Sequence, residues 1–157
     1  MFHLPFQMPT VMSDRISKVH RSWNMSRIRA ANTGPERLVR TFLHRNGFRF
    51  RLHRKSLPGS PDIVLPRYRT AIFVHGCFWH RHPGCKFAYS PKSNKSFWAK
   101  KFIANVCRDR KAAAALRRQG WQVVTIWECE TDQLREGGTP SKRLASKLMR
   151  IESEVRR

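Results

Sequence analysis

The stretch Ser60-Pro61-Asp62-Ile63-Val64-Leu65-Pro66-Arg67-Tyr68-Arg69-Thr70-Ala71-Ile72-Phe73-Val74-His75-Gly76 decides how this chain folds. Ile63-Val64-Leu65 and Ala71-Ile72-Phe73-Val74 are short apolar runs without polar alternation. Strands buried on both faces read this way. Pro66-Arg67-Tyr68-Arg69 between them is short enough for a hairpin. Leu57-Pro58-Gly59-Ser60-Pro61 before them must turn,. The two runs are expected at the centre of a sheet.

That hairpin has chemical consequences. Asp62 begins the first strand, and a carboxylate there is costly unless it is paired or holds a cation,. The hairpin brings it near the edge at Val74 and His75. One carboxylate, backbone carbonyls and an imidazole then surround one point, a set that suits Mg²⁺. His80 lies five residues beyond His75 and could act as general base on a water,. Metal-assisted phosphodiester hydrolysis is the chemistry such a set supports. The plainer alternatives are a turn-capping Asp62 and a hydrogen-bonding His75.

Further out, Phe48-Arg49-Phe50-Arg51-Leu52 alternates like a half-buried strand,. Before it, a helix is expected over 34–46. Thr33 is its N-cap, Pro35 suits its first turn, and Glu36 completes a capping box,. Leu38, Phe42 and Leu43 form its apolar stripe, and Gly47 ends it,. On the other side, residues 75–96 hold no sustained period, and a loop that long needs a function or a staple. A helix from about 96 to 118 follows, with Trp98, Phe102, Ile103, Val106 and Leu116 facing inward. Trp121–Trp127 reads as a buried strand. Gly137-Gly138 breaks the chain before a last helix over 141–155 carrying Leu144, Leu148, Ile151 and Val155. The order α, β-β-β, α, β, α predicts an α/β fold: a mixed central sheet flanked by helices.

At 157 residues the chain has room for one ordinary domain, expected over 31–157,. Residues 1–12 read as a flexible extension. Residues 13–30, with Trp23, Met25 and Ile28, read as a basic, weakly helical arm that would order on a polyanionic partner,. Thirty-two Lys and Arg against ten Asp and Glu give a net charge of +22. Twelve basic residues face two acidic over 1–61, thirteen face four over 62–130, and seven face four over 131–157. The charge is therefore not a basic tail on a neutral domain, and its partner is a polyanion, most simply nucleic acid. No run of about 18 apolar residues exists, so no membrane helix is expected. A secretory signal is not expected either, and the expected location is the cytoplasm.

Four cysteines in a reducing compartment are free, catalytic or metal-bound,. Cys77-x4-His82-x2-Cys85 lies in the long loop and Cys129 at the end of the last strand. Three thiolates and an imidazole make a common closed zinc site, which would tie the loop to the sheet. His80 is an alternative to His82 as the nitrogen ligand, and buried thiols without metal are the plainer reading. Cys107 on the long helix is expected to be a small core residue,.

Pro61-Asp62 before an apolar strand is similar to the PD-(D/E)xK nuclease superfamily, but Val74-His75-Gly76 stands where an acid-x-Lys should close the next strand. The departure carries a closer likeness. LPGSPDIV (57–64), AIFVHGCFWHRHPGCKFA (71–88), PKSN (91–94), FWAKKFIANVCRDR (97–110) and GWQVVTIWECE (120–130) resemble the bacterial very-short-patch mismatch repair endonucleases, the Vsr family. The likeness runs in order over about residues 12–130.

It implies a restriction-endonuclease-like fold with a structural Zn²⁺. It also implies nicking of double-stranded DNA 5′ of the mispaired T in a T·G mismatch left by 5-methylcytosine deamination. By the same resemblance Asp62 and the Val74 carbonyl bind catalytic Mg²⁺, His75 stabilises the reacting phosphate or leaving group, and His80 activates the water. Glu36 supports the hydrated metal and the base. Cys77, His82, Cys85 and Cys129 match the zinc ligands. Phe78, Trp79 and Trp98 would wedge into the duplex from one groove and Met25 from the other. A monomer is expected, and contacts with mismatch-repair proteins stay open. The competing readings are a restriction-type nuclease on matched duplex and a zinc-stapled DNA-binding module without catalysis.

Overall fold

Residues 31–135, 140 and 142–153 are described in a computed structural model, together with Ser17, Val19, His20 and Trp23. Met25, residues 1–12, most of the 13–30 arm, and Gly137 and Gly138 lie outside the described residues. Helix α1 (Gly34–Arg45) starts as its sequence requires. The Thr33 hydroxyl accepts the Glu36 N–H at 3.4 Å, and the Glu36 carboxylate accepts the Thr33 N–H at 3.3 Å. Such a reciprocal cap satisfies two N–H groups that a helix start leaves without partners. The helix buries Val39 and Leu43, while Leu38, expected on the stripe, is only half-buried.

The alternating run at 48–52 makes a shorter strand than expected. The Phe48 N–H is already given to the Leu43 carbonyl at 3.0 Å, closing the end of α1. Pairing therefore begins only at β1 (Arg51–Leu52), whose side chains are exposed. Phe48 is buried and Phe50 packs against the core from outside the strand.

Strand β2 (Ile63–Leu65) is buried throughout. A 3₁₀ turn, Pro66–Tyr68, then reverses the chain, with Arg69 left-handed at φ 43°. Strand β3 (Thr70–His75) follows, completing the expected hairpin. Helix α2 (Lys95–Arg118) leads to β4 (Gln122–Trp127). A short helix α3 (Glu128–Thr131), a 3₁₀ turn and helix α4 (Lys142–Ser153) complete the order.

The sheet order is β1-β2-β3-β4. β1–β2 and β2–β3 are antiparallel and β3–β4 is parallel. The sheet is therefore mixed, as expected. Strand alternation sends Ile63, Leu65, Ile72, Val124 and Ile126 to one face, where Val39 and Leu43 of α1 and Leu144, Leu148 and Ile151 of α4 meet them. Each such fully buried aliphatic side chain contributes about 1.5–3 kcal/mol.

The opposite parity of β3 and β4 holds Ala71, Phe73 and His75 against Val123, Thr125 and Trp127. Helix α2 lies towards this side. A Cβ built on Gly59, at φ +74°, would stand 2.5 Å from Ala112 Cβ of α2 and 3.3 Å from the Phe73 ring. Glycine is required there for both space and backbone conformation. Asn105 is the buried polar residue of α2, donating from Nδ2 to the Trp79 carbonyl at 2.9 Å.

Two expectations for α2 need correction. Ile103 is exposed rather than inward, and Cys107 is exposed rather than a core thiol. The cause is helical phase: the face seen by the sheet runs through Phe102, Asn105 and Leu116. Among the described residues no helix is long and apolar enough to cross a membrane.

Candidate active site

The antiparallel hairpin puts the start of β2 beside the end of β3. Val74 N–H donates to Asp62 Oδ2 at 2.8 Å, so strand pairing itself fixes the carboxylate. Burial pushes the Asp62 carboxyl above its usual range; the Val74 bond opposes this, and the Glu36 charge adds to it. A carboxylate so placed is a poor resident by itself and a good ligand for a hard cation.

Glu36, His53 and Asp62 offer ligand atoms that all lie within 4.8 Å of one another. Glu36 is buried and held on three sides. Arg40 Nη2 donates to it at 2.7 Å, and the Asn32 and Thr33 N–H groups donate at 3.0 and 3.3 Å. The same Arg40 nitrogen donates to His53 Nε2 at 2.9 Å, which leaves the His53 proton on Nδ1. Capping and site roles therefore coexist at Glu36.

The other half of the site follows His75. His75 and His80 stack with ring centroids 3.9 Å apart and planes 8° from parallel. His80 Nδ1 donates to Asp109 Oδ2 of α2 at 2.6 Å. An ionised carboxylate only accepts, so Nδ1 carries the proton and Nε2 is the nitrogen that can take one. Burial, with the neighbouring His80, lowers His75 to about 4, while Asp109 pulls the other way. His75 is accordingly neutral near pH 7. Both groups of residues line one cleft of about 1400 Å³ between the sheet edge, α1 and α2.

Asp109 and His53 were not among the site residues read from the sequence. Asp109 had a signal: it is one of only ten carboxylates in a very basic chain, and it sits on the helix that packs over the loop. His53 had none, because its place depends on how the chain turns before β2.

Cys77, His82, Cys85 and Cys129 converge. His82 Nδ1 lies 3.6 Å from Cys77 Sγ and 3.4 Å from Cys129 Sγ, and Cys85 Sγ lies 3.9 Å from Cys129 Sγ. Metal–sulfur bonds of about 2.3 Å and metal–nitrogen bonds of about 2.0 Å at tetrahedral angles predict edges of about 3.8 and 3.5 Å. The donor set fits a tetrahedral ion that size and chemistry would select. His80 is committed to Asp109, so His82 is the imidazole of this group. Burial and the adjacent Cys77 push Cys129 up to about 12. Burial raises Cys77 likewise, whereas at Cys85 burial is outweighed by the Phe87 N–H and the neighbouring thiols, which lower it, so two of the three thiols ionise readily only around a cation,.

Phe78 and Trp79 project from the loop against Trp98 of α2. Phe78 stands 5.1 Å from Trp79 and 5.3 Å from Trp98 between ring centroids. Tyr89 and Phe97, both exposed, extend this aromatic group, and Arg81 covers the Phe102 ring at 4.5 Å. The sequence reading included neither Tyr89 nor Phe97. Met25 lies outside the described residues.

A mixed sheet with a carboxylate and a histidine at the ends of its central strands, a second histidine in the loop that follows, and a Cys₃His cluster drawing three members from that same loop, defines a restriction-endonuclease-like α/β domain. Comparison with known proteins is more specific. A family model described as DNA mismatch endonuclease Vsr matches residues 13–86. The type II nicking enzyme V.XorIIP of Xanthomonas oryzae pv. oryzae is 50% identical over 123 residues, covering 78% of this chain and 90% of the relative. V.NmeAIP of Neisseria meningitidis serogroup A is 44% identical over 119 residues, 76% of this chain and 84% of the relative. The DNA mismatch endonuclease Vsr of Escherichia coli K12 is 42% identical over 118 residues, 75% of each chain. The chain belongs to the Vsr family.

Proposed function

We propose that this protein is a DNA endonuclease that nicks one strand 5′ of the mispaired T in a T·G mismatch and so initiates very short patch repair. The observation that supports it best is the joining of two features in one region. A hydrolytic cleft with Asp62, His75, His80 and Asp109 adjoins the loop that presents Phe78 and Trp79 beside Trp98.

Asp62 and the Val74 carbonyl would hold Mg²⁺, with Glu36 beside them. When bound, the ion supplies charge stabilisation for the phosphodiester under attack. His80, its Nδ1 proton anchored by Asp109, accepts a proton from water at Nε2,. His75, neutral and stacked on His80, offers a hydrogen bond to a phosphate oxygen or the leaving group. The Cys77, His82, Cys85 and Cys129 cluster would hold Zn²⁺, the usual ion for three thiolates and an imidazole,.

Recognition divides into two parts. A net charge of +22 attracts any duplex and carries no sequence information,. Choice of the mismatch falls to Phe78, Trp79 and Trp98, with Met25 from the basic arm, because a T·G wobble stacks poorly and opens at lower cost than a matched step. The arm at 13–30 would order only on DNA, and the nuclease acts as a monomer.

The test is nicking of end-labelled T·G and matched duplexes with Mg²⁺ present. Cleavage confined to the T strand of the mismatch is expected. Equal cleavage of matched DNA would support a restriction-type enzyme instead. No cleavage by a protein that still binds DNA would support a binding module.

A further inference from the structure

Trp127 belongs neither to the metal cluster nor to the catalytic set, yet it touches both. Its ring stacks on the His82 imidazole at 4.3 Å with planes 9° apart. It also meets His75 edge-on at 5.6 Å and 67°. His75 stacks on His80, and His80 is tied to Asp109. Four rings, His82, Trp127, His75 and His80, therefore form one unbroken row from the Cys/His cluster to the candidate general base.

The backbone of Trp127 is equally constrained. It pairs with His75 in the parallel β3–β4 register. Its N–H donates to Glu130 Oε2 at 2.9 Å. Glu130 is buried and gripped by Lys147 at 2.6 Å and Arg143 at 3.2 Å from α4. Cys129, a ligand of the cluster, lies within this same turn. A planar ring fixed at its root, and pressed face-on against the imidazole of the Cys/His cluster, has few ways to move unless that imidazole moves.

We propose that Trp127 is a positioning residue that transmits the geometry of the Cys77/His82/Cys85/Cys129 cluster to the imidazoles of His75 and His80. The metal cluster then does more than hold the 76–94 loop: it sets where the catalytic rings stand. The inference rests on the reading of His75 and His80 as catalytic groups. A Trp127 that only filled space would be replaceable by any apolar side chain, at a cost in stability and none in turnover.

The experiment uses the full chain with Trp127→Leu and Trp127→Phe. Metal per chain is measured by elemental analysis, and kcat and KM by nicking of a T·G duplex. The His75 and His80 imidazole resonances are recorded on DNA-free protein loaded with Zn²⁺ and then with the larger Cd²⁺. In the parent, exchanging the ion should shift both histidine signals. Trp127→Leu should keep its metal, lose most of that response, and lower kcat by about 10- to 100-fold with KM changed by no more than about twofold, as misplacement by an ångström does. Trp127→Phe, which keeps a flat ring, should recover most of both. Parental kcat in Trp127→Leu, a loss of kcat proportional to lost metal, or histidine signals indifferent to the ion in the parent would each overturn the proposal. Failure of the parent to nick DNA defeats the functional reading alone, since the response to Cd²⁺ is read without DNA.

Discussion

Asp109→Ala isolates the role of the carboxylate behind His80. The structure gives one bond to remove: His80 Nδ1 to Asp109 Oδ2 at 2.6 Å. Hydrogen bonds to charged groups contribute about 1.5–3 kcal/mol, and this one strengthens as His80 gains a proton in the transition state. Both side chains are about a quarter exposed, at 28% and 26%, so solvent replaces part of the loss and the lower half of the range applies,. The expected effect is a fall in kcat of about 10- to 40-fold, at about 1.4 kcal/mol per tenfold. Because the bond matters most in the transition state, kcat and kcat/KM should fall together. Asp109→Asn should be worse than Ala, since an amide N–H can impose the wrong tautomer and leave Nε2 already protonated, as in Ser-His-Asp enzymes. The assay is single-turnover nicking of a labelled T·G duplex at saturating protein. An Asp109→Ala protein within about twofold of the parent would refute the assignment of His80 as an Asp-oriented base.

Other outcomes follow from packing and from the metal cluster. Gly59→Ala should lower the melting temperature by several degrees, because its Cβ meets Ala112 at 2.5 Å and its φ of +74° suits glycine; overpacking of this kind costs about 1–3 kcal/mol. Leu43→Ala should cost about 2–5 kcal/mol in chemical denaturation, since Leu43 is fully buried in the main core,. A strong chelator should raise protease sensitivity across 76–94 before it unfolds the sheet, because three of the four cluster residues lie in that loop,. A trypsin digest that cuts the loop no faster after chelation would contradict this. Binding to DNA should weaken steeply between low and physiological salt, measured by fluorescence anisotropy, as phosphate contacts release counterions.

What the sequence revealed, and what it hid, divides by distance along the chain. The hairpin of β2 and β3 is a local event, so Ile63-Val64-Leu65 and Ala71-Ile72-Phe73-Val74 declared it, and with it the meeting of Asp62 and Val74. The α1 start was equally plain, because Thr33 and Glu36 satisfy each other within one turn. The phase of α2 was not. Its apolar residues occur on more than one side, so Ile103 and Cys107 looked inward on composition yet face solvent. Which stripe is buried was settled by what packs there, including Gly59 and the Trp79 carbonyl held by Asn105. The strand at 48–52 was overestimated because the closing bond of α1 takes the Phe48 N–H before pairing begins.

The same division explains the site. Cys77, His82 and Cys85 announce themselves by spacing, and Cys129 by the strand that ends beside them. Asp109 and Trp127 do not, because their partners lie far away in sequence: His80 for the first, His82 and His75 for the second. A carboxylate on a helix and a tryptophan at a strand end are individually unremarkable residues, and only the β3–α2–β4 crossover makes neighbours of them. That crossover also constrains the whole design. In a chain with ten carboxylates against thirty-two cations, few acids are available to the cleft. Glu36 is neutralised by Arg40, and Asp109 is committed to the Nδ1–H of His80. Asp62 is the carboxylate whose bond partner is a backbone N–H rather than a cationic or titrating side chain. In so basic a site a free carboxylate is scarce, and its position at the end of the central hairpin is where a hard cation and a phosphate can be brought together.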